Sequence, residues 1–153
     1  MTVFSTGGPR PMIPALAGTY ANAEPWAYLL LRVVTGAMLI AHGWPKLMAG
    51  PAAVAAGAMA RRGIEPAYVV ACIAIFLELV GAACIIIGFL TRPMALLLVI
   101  EFVIIVYSHL TMGGWGVGAG GAEFAFLWLI ALIYIMVRGG GACSVDAKLG
   151  KEF

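Results

Sequence analysis

Charge is what this 153-residue chain has least of: 10% of its residues are Asp, Glu, Lys or Arg, against about 25% in an ordinary soluble domain. That deficit argues against a water-soluble globular protein. Nine Lys and Arg against seven Asp and Glu leave a net charge of +2, too few cations to neutralise a run of phosphates, so nucleic acid is set aside as a partner. Cysteine is scarce too. Cys72, Cys84 and Cys143 form no CxxC pair and no zinc-like spacing, which argues against a dithiol relay or a structural metal. Cys72 and Cys84 share one apolar run, where cysteine behaves as a small hydrophobe. Nor does the sequence offer a convincing haem ligand pair, an iron-sulfur cysteine set or a nucleotide site.

What is present in excess is apolar surface. Hydrophobic residues make up 63% of the chain and the mean hydropathy is +1.05. Four long apolar runs stand out, Trp26 to Trp44, Ala67 to Phe89, Met94 to Leu110 and Ala122 to Val137. A hydrocarbon core about 30 Å thick needs about 17 to 25 helical residues, and only the last run is marginally short. The expected fold is therefore all-α, an integral membrane four-helix bundle. The first run is read as a span and not as a cleaved secretory signal, because it holds Arg32 and follows a leader punctuated by Pro9, Pro11 and Pro14. Three regions follow: an N-terminal extension over 1–25, the helical domain over 26–138 and a C-terminal tail over 139–153.

The loops complete the outline. Between the first two runs, Ala52 to Arg62 is an alanine-rich helix former with Gly63 as its stop, expected to lie along the interface or re-enter it. Thr111 to Gly121 has six glycines in eleven residues. Gly116, Gly118 and Gly121 fall in GxGxxG order there, but a dinucleotide fingerprint must join a strand to a helix, so the match is accidental. Outside the runs, Arg10, Arg92, Arg138, Lys148 and Lys151 face Lys46, Arg61 and Arg62, five cations against three, which favours both termini in the cytoplasm. Trp44, Tyr68, Tyr107 and Trp115 then gather at the outer interface, where amphipathic rings prefer to lie.

Four charges break the apolar runs: Arg32, Glu78, Glu101 and Glu123. A charge at mid-membrane costs about 2.5 to 3.5 kcal/mol on insertion scales, so these residues are expected to face one another. At about 100° per residue, Gly36 and Gly43 share the Arg32 face, which makes that thin stripe the packing face. Depth counting predicts one buried network of Arg32, Glu78 and Glu101. A second cluster of His42, Lys46, His109 and Glu123 is expected at the other end, as a pocket for a quinone or other polar head group beneath the glycine loop. No two of its ligand-type residues share a helical i, i+3 or i, i+4 spacing, which counts against a metal. A bland reading stays open for both clusters, a register-fixing ion pair in the first and interfacial histidines in the second. Tyr134 is expected in the core.

Several stretches carry a family resemblance: LLLRVVTGAMLIAHGWPKL from Leu29, ELVGAACIIIGFLTRPMAL from Glu78, EFVIIVYSHL from Glu101, GGAEFAFLWL from Gly120 and GGGACSVDAKLG from Gly139. Together they resemble the DoxX family of small four-helix membrane proteins. The resemblance implies a bacterial inner-membrane protein linked to redox chemistry, since relatives include a subunit of thiosulfate:quinone oxidoreductase. It also implies a polar signature at Arg32, His42, Lys46, Glu78, Arg92, Glu101, Glu123, Ser144 and Asp146. Three functions are compatible with this. The first is an accessory subunit that anchors, stabilises or delivers quinone to a larger membrane complex, with no covalently bound cofactor. The second is a quinone-reducing subunit using Arg32, Glu78 and Glu101, and the third is a small proton- or cation-coupled transporter.

Overall fold

The computed structural model describes residues 12–116 and 121–151, and every regular element among them is helical. A 3-10 turn, Pro14–Leu16, leads into α1, Ala17–Ala49. Next comes a short helix, α2, made of Pro51–Val54 and the π-helical turn Ala55–Met59. The third helix, α3, covers Ala67–Ile87 and widens into a π-helical turn over Leu77–Gly81. Then follow α4, Thr91–Met112, α5, Glu123–Arg138, and a short α6, Val145–Leu149, in the tail.

Three helices are long and apolar enough to cross a membrane, those within Pro14–Ala49, Ala67–Ile87 and Thr91–Met112. At about 1.5 Å per residue, the 16 residues of α5 extend about 24 Å, shorter than the other three. The four long helices pack in a ring: α1 touches α3 on one side and α5 on the other, while α4 touches both α3 and α5. Tyr28, Leu39, Ile85, Leu98, Phe102, Leu129 and Leu132 meet in the centre. Leu30, Val34, Ile73, Ile100, Leu127 and Ile130 point outward, as lipid requires and water would penalise.

The α1 stripe behaves as its composition suggests. Arg32, Gly36, Leu39 and Gly43 are all buried on one face. A Cβ added at Gly36 would lie 2.8 Å from the backbone oxygen of Ala82, and one at Gly43 would lie 2.9 Å from Glu78 Cβ. Glycine is thus what lets α3 lie against α1, and these two contacts fix the antiparallel register of the pair.

The limits of the outer regions differ from the sequence expectation. The first helix starts at Ala17, not Trp26, so the last residues of the N-terminal extension are a continuation of the first span. Alanine at Ala17, Ala21 and Ala23 favours this continuation, and Pro25 lies within the helix as proline can in membrane-spanning helices. Arg10, and Gly118 of the glycine pattern, lie outside the described residues. The C-terminal tail is no loose appendage: Gly139, Gly140, Ser144 and Asp146 are buried against the helix ends. The helix expected at Ala52 to Arg62 is present and packs through Val54, Ala55 and Met59 on Ala71, Ala74 and Ile75 of α3.

Replacing Gly36 by valine should force α1 and α3 apart at a point where backbone, which cannot yield, is the neighbour. Overpacking of this kind costs about 1 to 3 kcal/mol. Thermal unfolding in detergent should show a lower midpoint for Gly36→Val, while the same change at exposed Gly18, where a Cβ meets nothing within 4 Å, should leave packing intact.

Candidate functional site

Two polar centres occupy opposite ends of the ring, and they divide the charged residues differently from the sequence expectation. Arg32 does not meet Glu78 or Glu101. Its Nη2 donates to the backbone oxygen of Cys143 at 2.6 Å, its guanidinium lies 5.6 Å from the Tyr28 ring centre, and the side chain is 0% exposed. The reason is register. With Gly43 opposite Glu78, Arg32 sits level with Gly88 at the end of α3, and Glu101 lies ten residues beyond Thr91, about 15 Å along α4.

The tail-side centre is built around Asp146. Its Oδ1 accepts from the Leu90 N–H at 2.9 Å, and its Oδ2 accepts from the Thr91 N–H at 3.0 Å and the Thr91 hydroxyl at 2.7 Å. The carboxylate thereby caps the first turn of α4, whose N–H groups have no helical partner. It also holds Leu90 in the left-handed region at φ 48°, where a Cβ is disfavoured by about 1 to 2 kcal/mol. Burial alone would push the Asp146 carboxyl up, but the three hydrogen bonds and the Arg32 charge outweigh it and hold the group below the ordinary aspartate value. Ser144 Oγ caps α6 by accepting from the Ala147 N–H at 3.0 Å and donates to the Gly141 oxygen at 2.7 Å. Tyr28 OH donates to the Gly139 oxygen, and Arg138 pairs with Glu24 and stacks 4.0 Å from the Tyr28 ring centre. Tyr134, expected in the core, is exposed and accepts from Arg138 Nη1 at 2.8 Å.

At the α2 end lies a partly enclosed cavity of about 370 Å³, walled by all five helices from α1 to α5. Lys46 Nζ holds Glu78 Oε1 at 2.5 Å, with the Glu78 side chain 3% exposed and the lysine one-third exposed. Glu78 belongs to the π-helical turn of α3, a widening that often marks a functional position. Glu101 stands on the same cavity wall, one turn before Ile105 and two before Ser108 on α4. Both of its carboxyl oxygens are buried without a hydrogen-bond partner among the described residues. His42 stacks edge-on to Trp128, ring centres 4.9 Å apart. Arg62 reaches from the end of the α2 segment to within 3.4 Å of His109 Nε2, and His109 Nδ1 lies 3.2 Å from the Gly121 oxygen.

The cavity therefore joins residues that sequence reasoning had put in separate clusters. His42, Lys46 and His109 line it as expected, Glu78 and Glu101 join them, and Glu123 does not. Glu123 sits at the first turn of α5, where its N–H donates to the Trp115 oxygen at 3.3 Å. Sequence reasoning missed Arg62 and the helix-capping role of Asp146. The signals were there: an Arg-Arg pair closing a short helix, and an aspartate in a tail with few other charges. Among the described residues no three His, Cys, Asp or Glu side chains converge as a metal site would require.

A small helical chain with apolar residues turned outward and its charges gathered inside is a membrane-embedded protein. It belongs to the DoxX family, whose profile matches residues 27–111. An uncharacterised protein of Haemophilus influenzae is 31% identical over 135 residues, covering 84% of this chain and 95% of that one. An Escherichia coli protein described as inner membrane protein YphA is 29% identical over 134 residues, covering 84% and 94%. No solved structure matches.

Two outcomes test the two centres. Lys46→Met strands a buried carboxylate and should cost about 3 kcal/mol, whereas Lys46→Met with Glu78→Leu should recover most of the loss. Unfolding in bicelles measures both, together with Glu78→Leu alone, and a loss in the double variant equal to the sum of the two single losses would show that the pair is not coupled. For Asp146 the folded value is depressed, so its contribution is complete above the unfolded carboxyl value of about 3.9 and is lost as pH falls through the folded value. The midpoint of thermal unfolding should therefore fall on acidification below about pH 4, and Asp146→Ala should be less stable at neutral pH with a flatter acid limb.

Proposed function

We propose that this protein is an accessory subunit of a quinone-linked membrane complex and that the cavity at the α2 end receives the quinone head group. In this reading α5 is the fourth span, the membrane is the bacterial inner membrane and both termini are cytoplasmic. The observation that carries the reading is the cavity. Its volume is within the usual range for a small-molecule pocket of about 300 to 1,000 Å³, and few polar groups converge on mostly apolar walls. Phe102, Ile105 and Trp128 suit a flat apolar ring, while His42 and Ser108 suit its oxygens. The implied redox theme of the family and the inner-membrane description of YphA support the setting.

The accessory role accords with a sequence that brings no recognisable electron carrier of its own. Chemistry would then be carried by a partner, with this chain anchoring it and holding quinone near it. The projecting start of α1 and the folded tail, with Lys148 and Lys151 exposed, supply surface for such a partner.

A short-tailed ubiquinone analogue titrated into the full chain in lipid nanodiscs should quench tryptophan fluorescence to saturation. Trp128→Phe should remove most of the quenching without abolishing binding. The Lys46→Met, Glu78→Leu double variant should bind about tenfold more weakly, equivalent to about 1.4 kcal/mol. Mild-detergent purification should also retain a stoichiometric membrane partner. Linear, non-saturating quenching together with a chain that purifies alone would refute the reading.

A further inference from the structure

The cavity contains one group that the protein leaves wholly unsatisfied. Glu101 lines the space, and neither of its buried carboxyl oxygens has a hydrogen-bond partner among the described residues. Lys46, the ammonium within electrostatic reach, is already engaged by Glu78 Oε1, and Glu78 Oε2 has no partner of its own. Of the two carboxyls, only Glu78 has a cation within hydrogen-bond distance among the described residues. A second, unpaired negative charge among Phe102, Ile105 and Trp128 would carry a desolvation penalty with no hydrogen bond to offset it. A neutral acid avoids that penalty and acquires an O–H donor. Nothing among the described residues accepts from it.

We propose that Glu101 stands in the cavity as a neutral carboxylic acid and donates a hydrogen bond to a carbonyl oxygen of a lipophilic ligand. This rests on the reading of the cavity as a ligand site and deepens it by naming the chemistry recognised. The alternative occupant of a buried acid is a cation, which would displace the proton. The walls argue against one: Lys46 from α1, Arg61 and Arg62 from the end of the α2 segment, and His42 and His109 from α1 and α4 line the same space. The cations among them, Lys46, Arg61 and Arg62, repel a positive ligand and tolerate a neutral or acidic one. No bond to the proton is broken in this role; Glu101 keeps it and is a positioning donor that fixes where the carbonyl rests. A quinone and a long-chain fatty acid share that acceptor oxygen.

Infrared difference spectra of the full chain in nanodiscs test the proposal. Wild type should show a protonated-carboxyl C=O stretch that Glu101→Gln lacks. A short-tailed ubiquinone analogue or oleic acid should lower its frequency, and tetraphenylphosphonium should not remove it. Glu101→Gln, which keeps an N–H donor, should bind the shifting probe within about threefold of wild type, and Glu101→Leu about tenfold more weakly, equivalent to about 1.4 kcal/mol. A shift with oleic acid alone supports the present inference while removing the quinone from the proposed function. Absence of the protonated band in wild type, a band that neither carbonyl probe moves, or its loss on adding tetraphenylphosphonium each overturns the inference. Should Glu101→Leu fail to fold, the wild-type band and the Gln variant decide.

Discussion

A single face of α1 carries two cations, Arg32 and Lys46, fourteen residues and about 21 Å apart, and lipid offers neither of them a counter-ion. Most of the protein's internal arrangement answers that constraint. At one end the chain folds its C-terminal segment back beneath the ring, so that a backbone carbonyl and the Asp146 field meet Arg32. At the other, α3 brings Glu78 to Lys46. The glycines between the two cations let α3 come near enough to serve both ends. Removing either response would leave a charged group without its partner inside the protein, at about 3 to 5 kcal/mol.

The cavity follows from the same geometry. Lys46 is near the end of α1, so its partner helix must pass high on the ring, and α2 must then fold over the space left between α3 and α4. Satellite packing of Val54, Ala55 and Met59 on the first half of α3 fixes that cover in place. Arg62 completes it by reaching His109 on the far side. The pocket therefore combines aromatic and aliphatic walls with charged side chains, the buried Glu78 and Glu101 carboxyls among them.

Most of the architecture was legible in the sequence because hydropathy and helix length are local quantities. The runs beginning near Ala67 and Met94 land on α3 and α4 to within a few residues, and the alanine-rich loop helix is where its composition places it. The glycine stripe beside Arg32 also marks the true packing face. The pairing of charges was less legible. The hydropathy pattern starts the first span at Trp26, whereas the helix begins at Ala17, and relative depth depends on register between helices, which no single run encodes. Arg32 accordingly found a main-chain oxygen, a partner present at every residue and so invisible to a search for complementary charges. Glu123 shares a depth with the histidines but is not among the residues that line the cavity.

The widened turn of α3 gives one helix two orientations. Before Leu77 its buried residues, Ala71, Ala74 and Ile75, look toward α2; after it Ala82 and Ile85 look toward the central core. An extra residue accommodated in a π-helical turn offsets the two halves by about one residue's 100° rotation. The helix thus works like a shaft with a keyed coupling: deleting Leu79 or Val80 would restore regular winding and lose no charged group, yet it would swing one half about a quarter turn against the other and carry Ala71 and Ala74 off the α2 seat.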